Sequence, residues 1–247
     1  MSSIEDEVSW AVEYYWSKLS DQAAEQQEGE DAARGRRAEV LGGRQLDGFA
    51  TVCEEILMDA GVPEESIYFD HEATLPGYFR ATKRWDLAVI QEGELLAAIE
   101  FKSITSSFGN NLNNRTEEAL GSPTDLYTAY EEGAYDTSPR PWLGYLMLMA
   151  ENDDSTGSVR VREPHFDVLE DFDGASYVDR GEQLCLRLLR QRLYDGCAFL
   201  LSDAERGVDG EYWEPQDELT FRRFAGSLVG HIKGYLDFQG TTQERFE

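Results

Sequence analysis

Lysine is scarce in this chain: it occurs only at Lys18, Lys83, Lys102 and Lys233, and arginine supplies the rest of the 22 basic residues that face 49 Asp and Glu. A net charge of −27 and an isoelectric point near 4.3 leave no excess of positive charge for general phosphate binding. On composition alone, an acidic enzyme acting on a neutral or cationic substrate is the simplest reading. Cysteine is equally sparse. Cys53, Cys185 and Cys197 are odd in number and lack C-x-x-C spacing, which argues against a disulfide framework or a zinc ribbon and for buried, reduced thiols. No apolar run approaches the roughly 20 residues of a membrane span, and the first residues are acidic and amphipathic rather than signal-like. A cytoplasmic protein with no membrane partner is expected. Internal repeats, long low-complexity segments and a glycine-rich triphosphate loop are all missing, so neither a solenoid nor ATP use is indicated.

What the chain does have is length and apolar content. At 247 residues and 41% hydrophobic it can bury one sizeable core, and a single domain over residues 1–247 is expected. Its parts are a helical region at 1–60, a sheet core at 78–202 and a C-terminal helix at 215–237. Ser2-Ser3-Ile4-Glu5 offers a capping box, followed by Ile4, Val8, Ala11, Val12, Tyr15, Trp16 and Leu19 at helical spacing. Residues 21 to 37 are polar and read as a turn, with Arg34, Arg36 and Arg37 clustered in it. Leu46, Phe49, Ala50, Cys53, Leu57 and Ala60 form the stripe of a second helix, ended by Gly61 and Pro63. Residues 62 to 83 hold an aromatic stretch and a turn at Leu75-Pro76-Gly77. Helical spacing through Ala119, Leu120, Leu126, Tyr127 and Tyr130 is interrupted at Gly121-Ser122-Pro123, where a further helix can start. Pro141 to Ala150 reads as a central strand, Leu184 to Leu189 as a helix, Cys197 to Leu201 as another strand. The order gives an α/β fold, a mixed central sheet flanked by helices.

The chemistry concentrates at residues 84 to 102. Two apolar runs of strand length, Leu87 to Ile90 and Leu95 to Phe101, flank a polar Gln91-Glu92-Gly93-Glu94 break and read as a hairpin. Charges sit inside it, where burial without partners is costly: Asp86 in the first run, Glu100 and Lys102 in the second. Glu100 and Lys102 are two apart and share a face. With a three-residue loop Glu92-Gly93-Glu94, the reading adopted here, Gln91 faces Leu95 and Asp86 faces Glu100; a two-residue loop would put Ile99 there instead. Two carboxylates that close repel unless a cation lies between them, and a hard divalent ion with oxygen ligands is the natural candidate. This is the D…E-x-K constellation of metal-dependent phosphodiester cleavage, with Lys102 beside the attacking water. An inter-strand ion pair without catalysis is the alternative.

Beyond these residues, Gly77-Tyr78-Phe79-Arg80-Ala81-Thr82-Lys83-Arg84-Trp85-Asp86, Glu100-Phe101-Lys102-Ser103 and Ser106 through Ser122 form a continuous block that resembles the XhoI-type family of type II restriction endonucleases, within the PD-(D/E)xK nuclease superfamily. Gly42 to Phe49, Arg162-Glu163-Pro164-His165-Phe166 and Gly174 to Tyr177 are similar too, so the resemblance runs over nearly the whole chain. Trp85 departs from the superfamily pattern, which often has proline before the first aspartate. The resemblance implies a homodimeric, Mg2+-dependent endonuclease cutting both strands of double-stranded DNA at a palindrome. The resemblance further implies CTCGAG as the site, cut after the first C to leave a 5′ overhang. It also implies a cognate DNA methyltransferase in the host, with no stable complex.

On that reading Asp86, Glu100 and Lys102 are catalytic, and Asp86 and Glu100 bind the metal. Nucleases of this superfamily often add a helix carboxylate, for which Glu54, at the edge of the second helix's apolar stripe, is chosen over Glu55; a solvated glutamate is the alternative. Ser103 to Arg115 is too polar for core and too rich in asparagine for a helix interior. It reads as a DNA-contacting loop with Ser106, Asn110, Asn111, Asn113, Asn114 and Arg115 as contacts, at least one of Asn113 and Asn114 capping the next helix instead. Arg44 and Gln45 suit guanine and adenine edges, or are plain helix surface. His165 reads as a structural histidine, with a DNA or acid role as the alternative. The acidic surface is read as adaptation to a high-salt, halophilic cytoplasm. The rival functions are a structure-specific or repair nuclease on the same scaffold, which would give no fixed fragments from a plasmid, and a catalytically idle DNA-binding module, which turnover with magnesium would exclude.

Overall fold

A computed structural model describes residues 3–28, 44–136 and 138–246. The first helix, α1 (Ile4–Glu28), buries the expected stripe of Val8, Ala11, Val12, Tyr15 and Trp16. Its cap is Ser3. The Ser3 carbonyl accepts the first helical bond from Glu7, and the Ser3 hydroxyl and Asp6 carboxylate satisfy each other's backbone N–H groups. The helix also runs into the segment expected to be a turn; Arg34, Arg36 and Arg37 lie outside the described residues. A single tight turn, Arg44–Leu46, leads into α2 (Asp47–Asp59), which buries Phe49, Cys53 and Leu57 as its periodicity demanded.

The segment that looked only aromatic and turn-rich forms three short strands. Strand β1 (Ile67–Phe69) edges the main sheet, while β2 (Thr74–Pro76) and β3 (Thr82–Arg84) pair as a separate ribbon. Strands β4 (Leu87–Gln91) and β5 (Glu94–Ile104) are the hairpin, followed by β6 (Trp142–Ala150) and β7 (Gly196–Ser202). The five-stranded sheet has the order β1-β4-β5-β6-β7, antiparallel up to β5 and parallel from β5 to β7, the mixed sheet that was expected. Strand β6 is buried along its whole length because it is central and covered on both faces.

Helix α3 (Phe108–Glu131) corrects the reading of the asparagine-rich segment as a loop. Phe108, Leu112, Ala119, Leu126 and Ala129 are buried at helical spacing, and burying that stripe outweighs the weak helix propensity of asparagine. The helix also passes unbroken through Gly121-Ser122-Pro123, with Ser122 and Pro123 themselves packed inward. Helix α4 (Tyr177–Arg190) starts at a capping box of Ser176 and Asp179 and places Gly181 against Met149 and Phe199. Helix α5 (Phe221–Phe246) covers the opposite face, where Ser227 accepts the Trp142 indole N–H at 2.9 Å. Cys53, Cys185 and Cys197 are buried free thiols, as expected.

The hairpin turn differs from the three-residue loop. Glu92 (φ 54°) and Gly93 (φ 85°) form a two-residue turn between the pairs Gln91–Glu94 and Ile90–Leu95, both residues taking the left-handed conformation that such turns require. Taken alone, that turn would set the carboxylates out of step. A bulge compensates: the next pair is Val89–Ala97, leaving Leu96 as an extra residue, and the ladder continues to Leu87–Ile99. Asp86, one residue beyond that pair, therefore arrives beside Glu100 after all. Gly93→Ala should destabilise the fold by about 1 kcal/mol, since the side chain disfavours φ near 85°, and chemical denaturation will read it as a lower midpoint with an unchanged slope.

Candidate active site

Alternation along β5 sends Ile99 and Phe101 to one face and Glu100 and Lys102 to the other. Glu100 is almost wholly buried, with 6% of its surface exposed, so its charge must be met by protein groups. Two lysines meet it. The Lys102 ammonium pairs with Oε1 and the Lys83 ammonium, reaching in from the β2–β3 ribbon, pairs with Oε2 at 2.5 Å. Lys83 is seated by Trp85: its nitrogen lies 4.4 Å from the ring centroid, and Trp85 is itself buried. The residue standing where the superfamily often has proline thus holds a cation over the site.

Asp86 accepts the Phe101 backbone N–H on Oδ2 at 2.7 Å, fixing its carboxyl against β5. Burial, reinforced by the Glu100 charge, raises its pKa to about 6 against the opposing pull of Lys102 and Lys83. Glu100 moves the other way: burial alone would raise it, but Lys102 and Lys83 outweigh that and hold it below the ordinary range. The Lys102 ammonium, although burial opposes its charge, is raised by Glu100 and Asp86. Asp86, whose charge burial and Glu100 both oppose, and the ionised Glu100 form an oxygen-donor pair of the kind that suits a small hard cation.

The cluster extends to α3. Glu118 lies 3.8 Å from Lys102 and takes Arg115 Nη1 at 2.6 Å, so Arg115 is joined to the site through one carboxylate. Arg115 Nε and the hydroxyl of Tyr145 are buried without a hydrogen-bond partner. Tyr145 is paired in register with Glu100, which puts its ring on the same face. Asn110, Asn113 and Asn114 are exposed on the first turns of α3, while Asn111 donates to the Ser106 carbonyl at 2.7 Å. Ser106 itself is exposed just ahead of the helix.

Other expected participants fall elsewhere. Glu54 lies at the edge of its helix, as projected, but the charges it feels, after burial, are Glu64 and Glu55, which raise its pKa. Among the described residues no three His, Cys, Asp or Glu side chains converge as metal ligands, so Glu54 is not brought to Asp86 and Glu100. Gln45 is 7% exposed, packed inside rather than offered to a base edge; Arg44 opens the turn before α2. His165 is exposed, not a packed structural histidine. The sequence reading missed Lys83, Trp85 and Glu118. A signal for Lys83 existed: it is one of only four lysines and lies three residues before Asp86.

A mixed five-stranded sheet flanked by helices, whose antiparallel hairpin brings an Asp, a Glu and a Lys together, is the restriction-endonuclease-like fold. The profile of the restriction endonuclease XhoI family matches residues 25–214. The chain is 44% identical over 204 residues to the type II restriction enzyme BstVI of Geobacillus stearothermophilus, covering 80% of this chain and 91% of that one. It is 42% identical over 181 residues to the type II restriction enzyme XhoI of Xanthomonas vasicola, covering 72% of each. It is 43% identical over 158 residues to the type II restriction enzyme AbrI of Azospirillum brasilense, covering 63% of this chain and 71% of that enzyme. The chain belongs to the XhoI family of type II restriction endonucleases. No solved structure matches it.

The raised pKa of Asp86 has a definite sign. The folded chain retains this proton up to about pH 6, whereas the unfolded chain loses it near 4, so the group's contribution to stability is present at low pH and lost as pH rises through that window. Asp86→Asn keeps an oxygen for the Phe101 N–H and removes the buried charge. It should therefore raise the melting temperature of metal-free protein at pH 8, by an amount worth at most about 3 kcal/mol, and this gain should vanish by pH 4. Calorimetry at the two pH values checks it.

Proposed function

We propose that the chain cuts double-stranded DNA at a palindrome by water attack on the phosphodiester, with Asp86 and Glu100 holding Mg2+ and Lys102 acting on the water. The observation that carries this reading is the clustering of buried Glu100 with partly buried Asp86 and Lys102 in a chain of this family. Two carboxylates without a third ligand suit magnesium, which is held by one or two carboxylates plus waters and substrate phosphate. When bound there, the ion would supply Lewis acidity and lower the pKa of water. Asp86 fixes its own carboxyl through the Phe101 N–H, and Glu100 accepts a proton-bearing partner on each oxygen. Lys102 donates to the attacking water and stabilises negative charge developing at phosphorus. Burial of the cluster between β5 and α3 keeps bulk water from screening these charges.

Recognition is assigned to the exposed face of α3. A helix fits the major groove, where Asn110, Asn113 and Asn114 can read adenine edges and Arg115 guanine. CTCGAG, cleaved after the first C to leave a 5′ overhang, is the proposed site. Symmetric cutting of a palindrome requires two matching active sites, which a two-fold homodimer supplies. A cognate methyltransferase would protect the host's own copies of the site, and the enzyme would work in the cytoplasm as a single endonuclease domain. No described helix is long and apolar enough to cross a membrane.

Digestion of a mapped plasmid with magnesium should yield discrete fragments, and Lys102→Ala should slow cleavage by about 100-fold or more while leaving the circular dichroism spectrum unchanged. An equally active variant removes Lys102 from the mechanism. The charge of −27 is proposed to suit a high-salt cytoplasm, where counterion release drives DNA binding weakly. Affinity for the cognate duplex should then fall less steeply with KCl than in a relative with a near-neutral surface; a slope as steep or steeper contradicts the halophilic reading.

A further inference from the structure

The β2–β3 ribbon is unlike the rest of the surface. From Ala73 to Trp85 it contains no Asp or Glu but carries Arg80, Lys83 and Arg84, in a chain where acids outnumber bases 49 to 22. At its tip, Tyr78 and Phe79 are 52% and 71% exposed, their rings edge to face at 4.9 Å. The backbone beneath them is clamped. Asp125, buried in α3, accepts the N–H groups of Tyr78 and Phe79 on Oδ1 at 2.9 and 2.7 Å and Arg80 Nε on Oδ2 at 2.6 Å. Gly77 makes that approach possible, since a Cβ there would lie 2.4 Å from the same Oδ2. The Tyr135 hydroxyl donates to the Pro76 carbonyl at 2.5 Å on the other flank.

Two large apolar rings held in solvent on an immobilised turn have already lost the backbone freedom that binding would otherwise cost. The base of the same ribbon places Lys83 on Glu100, so whatever docks along it also meets the active site. Of its three bases, Arg80 is paired with Asp125 and Lys83 with Glu100, which leaves Arg84, exposed at the end of β3 on a ribbon without acids, as the cation open to a polyanion. We propose that this ribbon is a DNA-binding element: Tyr78 and Phe79 pack against the bases and sugars of the duplex beside the scissile phosphate, and Arg84 contacts a neighbouring phosphate. This rests on the nuclease reading above and adds a contact surface separate from α3.

The test measures affinity for a duplex carrying the site mapped by plasmid digestion, with Ca2+ replacing Mg2+, across KCl concentrations. Tyr78→Ala/Phe79→Ala should bind about 10-fold to 100-fold more weakly with an unchanged salt slope, because the rings neutralise no phosphate. Tyr78→Trp/Phe79→Trp should restore most of the affinity. Arg84→Ala should instead reduce the slope by about one. All three should melt like wild type, since these side chains are exposed. Wild-type affinity in the double alanine variant overturns the tip alone. Loss of binding accompanied by dissociation of protomers in sedimentation overturns it as well, assigning the rings to a contact between chains. Wild-type protein that binds no duplex sinks the nuclease reading and the tip together.

Discussion

Glu100 is a negative charge sealed into the face of a β-sheet, and much of the molecule around it is arranged to make that tolerable. An isolated carboxylate in that position would shed its charge rather than remain ionised. Two lysines prevent this, one from its own strand and one from a ribbon that is not part of the main sheet. Each lysine is then supported in turn: Lys83 by the ring of Trp85, Lys102 by Glu118, and Glu118 by Arg115. Asp86 is the member with the raised pKa, because burial and the Glu100 charge together outweigh the pull of Lys102 and Lys83. Such an arrangement is weak evidence for stability, because buried ion pairs seldom repay their desolvation, and better evidence for chemistry.

The same network joins three parts of the chain that are distant in sequence. Helix α3 supplies Glu118 and Arg115 to the cluster and, two turns further on, Asp125 to the ribbon tip. The ribbon supplies Lys83 to Glu100 at its base. Helix α3 therefore makes contacts both at the carboxylates and beneath the exposed aromatics.

Overall charge describes this protein poorly, because the acids are not evenly placed. The ribbon from Ala73 to Trp85 is free of them, and the helix face that begins at Asn110 is largely amide. With a Debye length near 8 Å at physiological ionic strength and shorter in stronger salt, a DNA phosphate responds to these local groups more than to acids on remote faces. A net charge that argues against nucleic acid when averaged over the chain is thus compatible with it at one surface.

The sequence by itself determined the α/β order, the hairpin, the buried stripes of α1 and α2, and the meeting of Asp86, Glu100 and Lys102, because alternation and helical spacing are local and charged residues inside apolar runs stand out. It misjudged what depends on distant partners. Asn110, Asn111, Asn113 and Asn114 are poor helix formers, and only the core beneath Phe108 and Leu112 makes that stretch helical. The hairpin register was reached through the wrong turn, since a bulge at Leu96 cannot be read from composition. Glu54 sits at the helix edge that its spacing predicts, yet which carboxylates share a cavity is decided by how elements pack, and α2 turns it toward Glu64. Lys83 joins Glu100 across a gap of 17 residues and between two separate sheets; the tertiary structure alone decided that meeting, because no local periodicity encodes it.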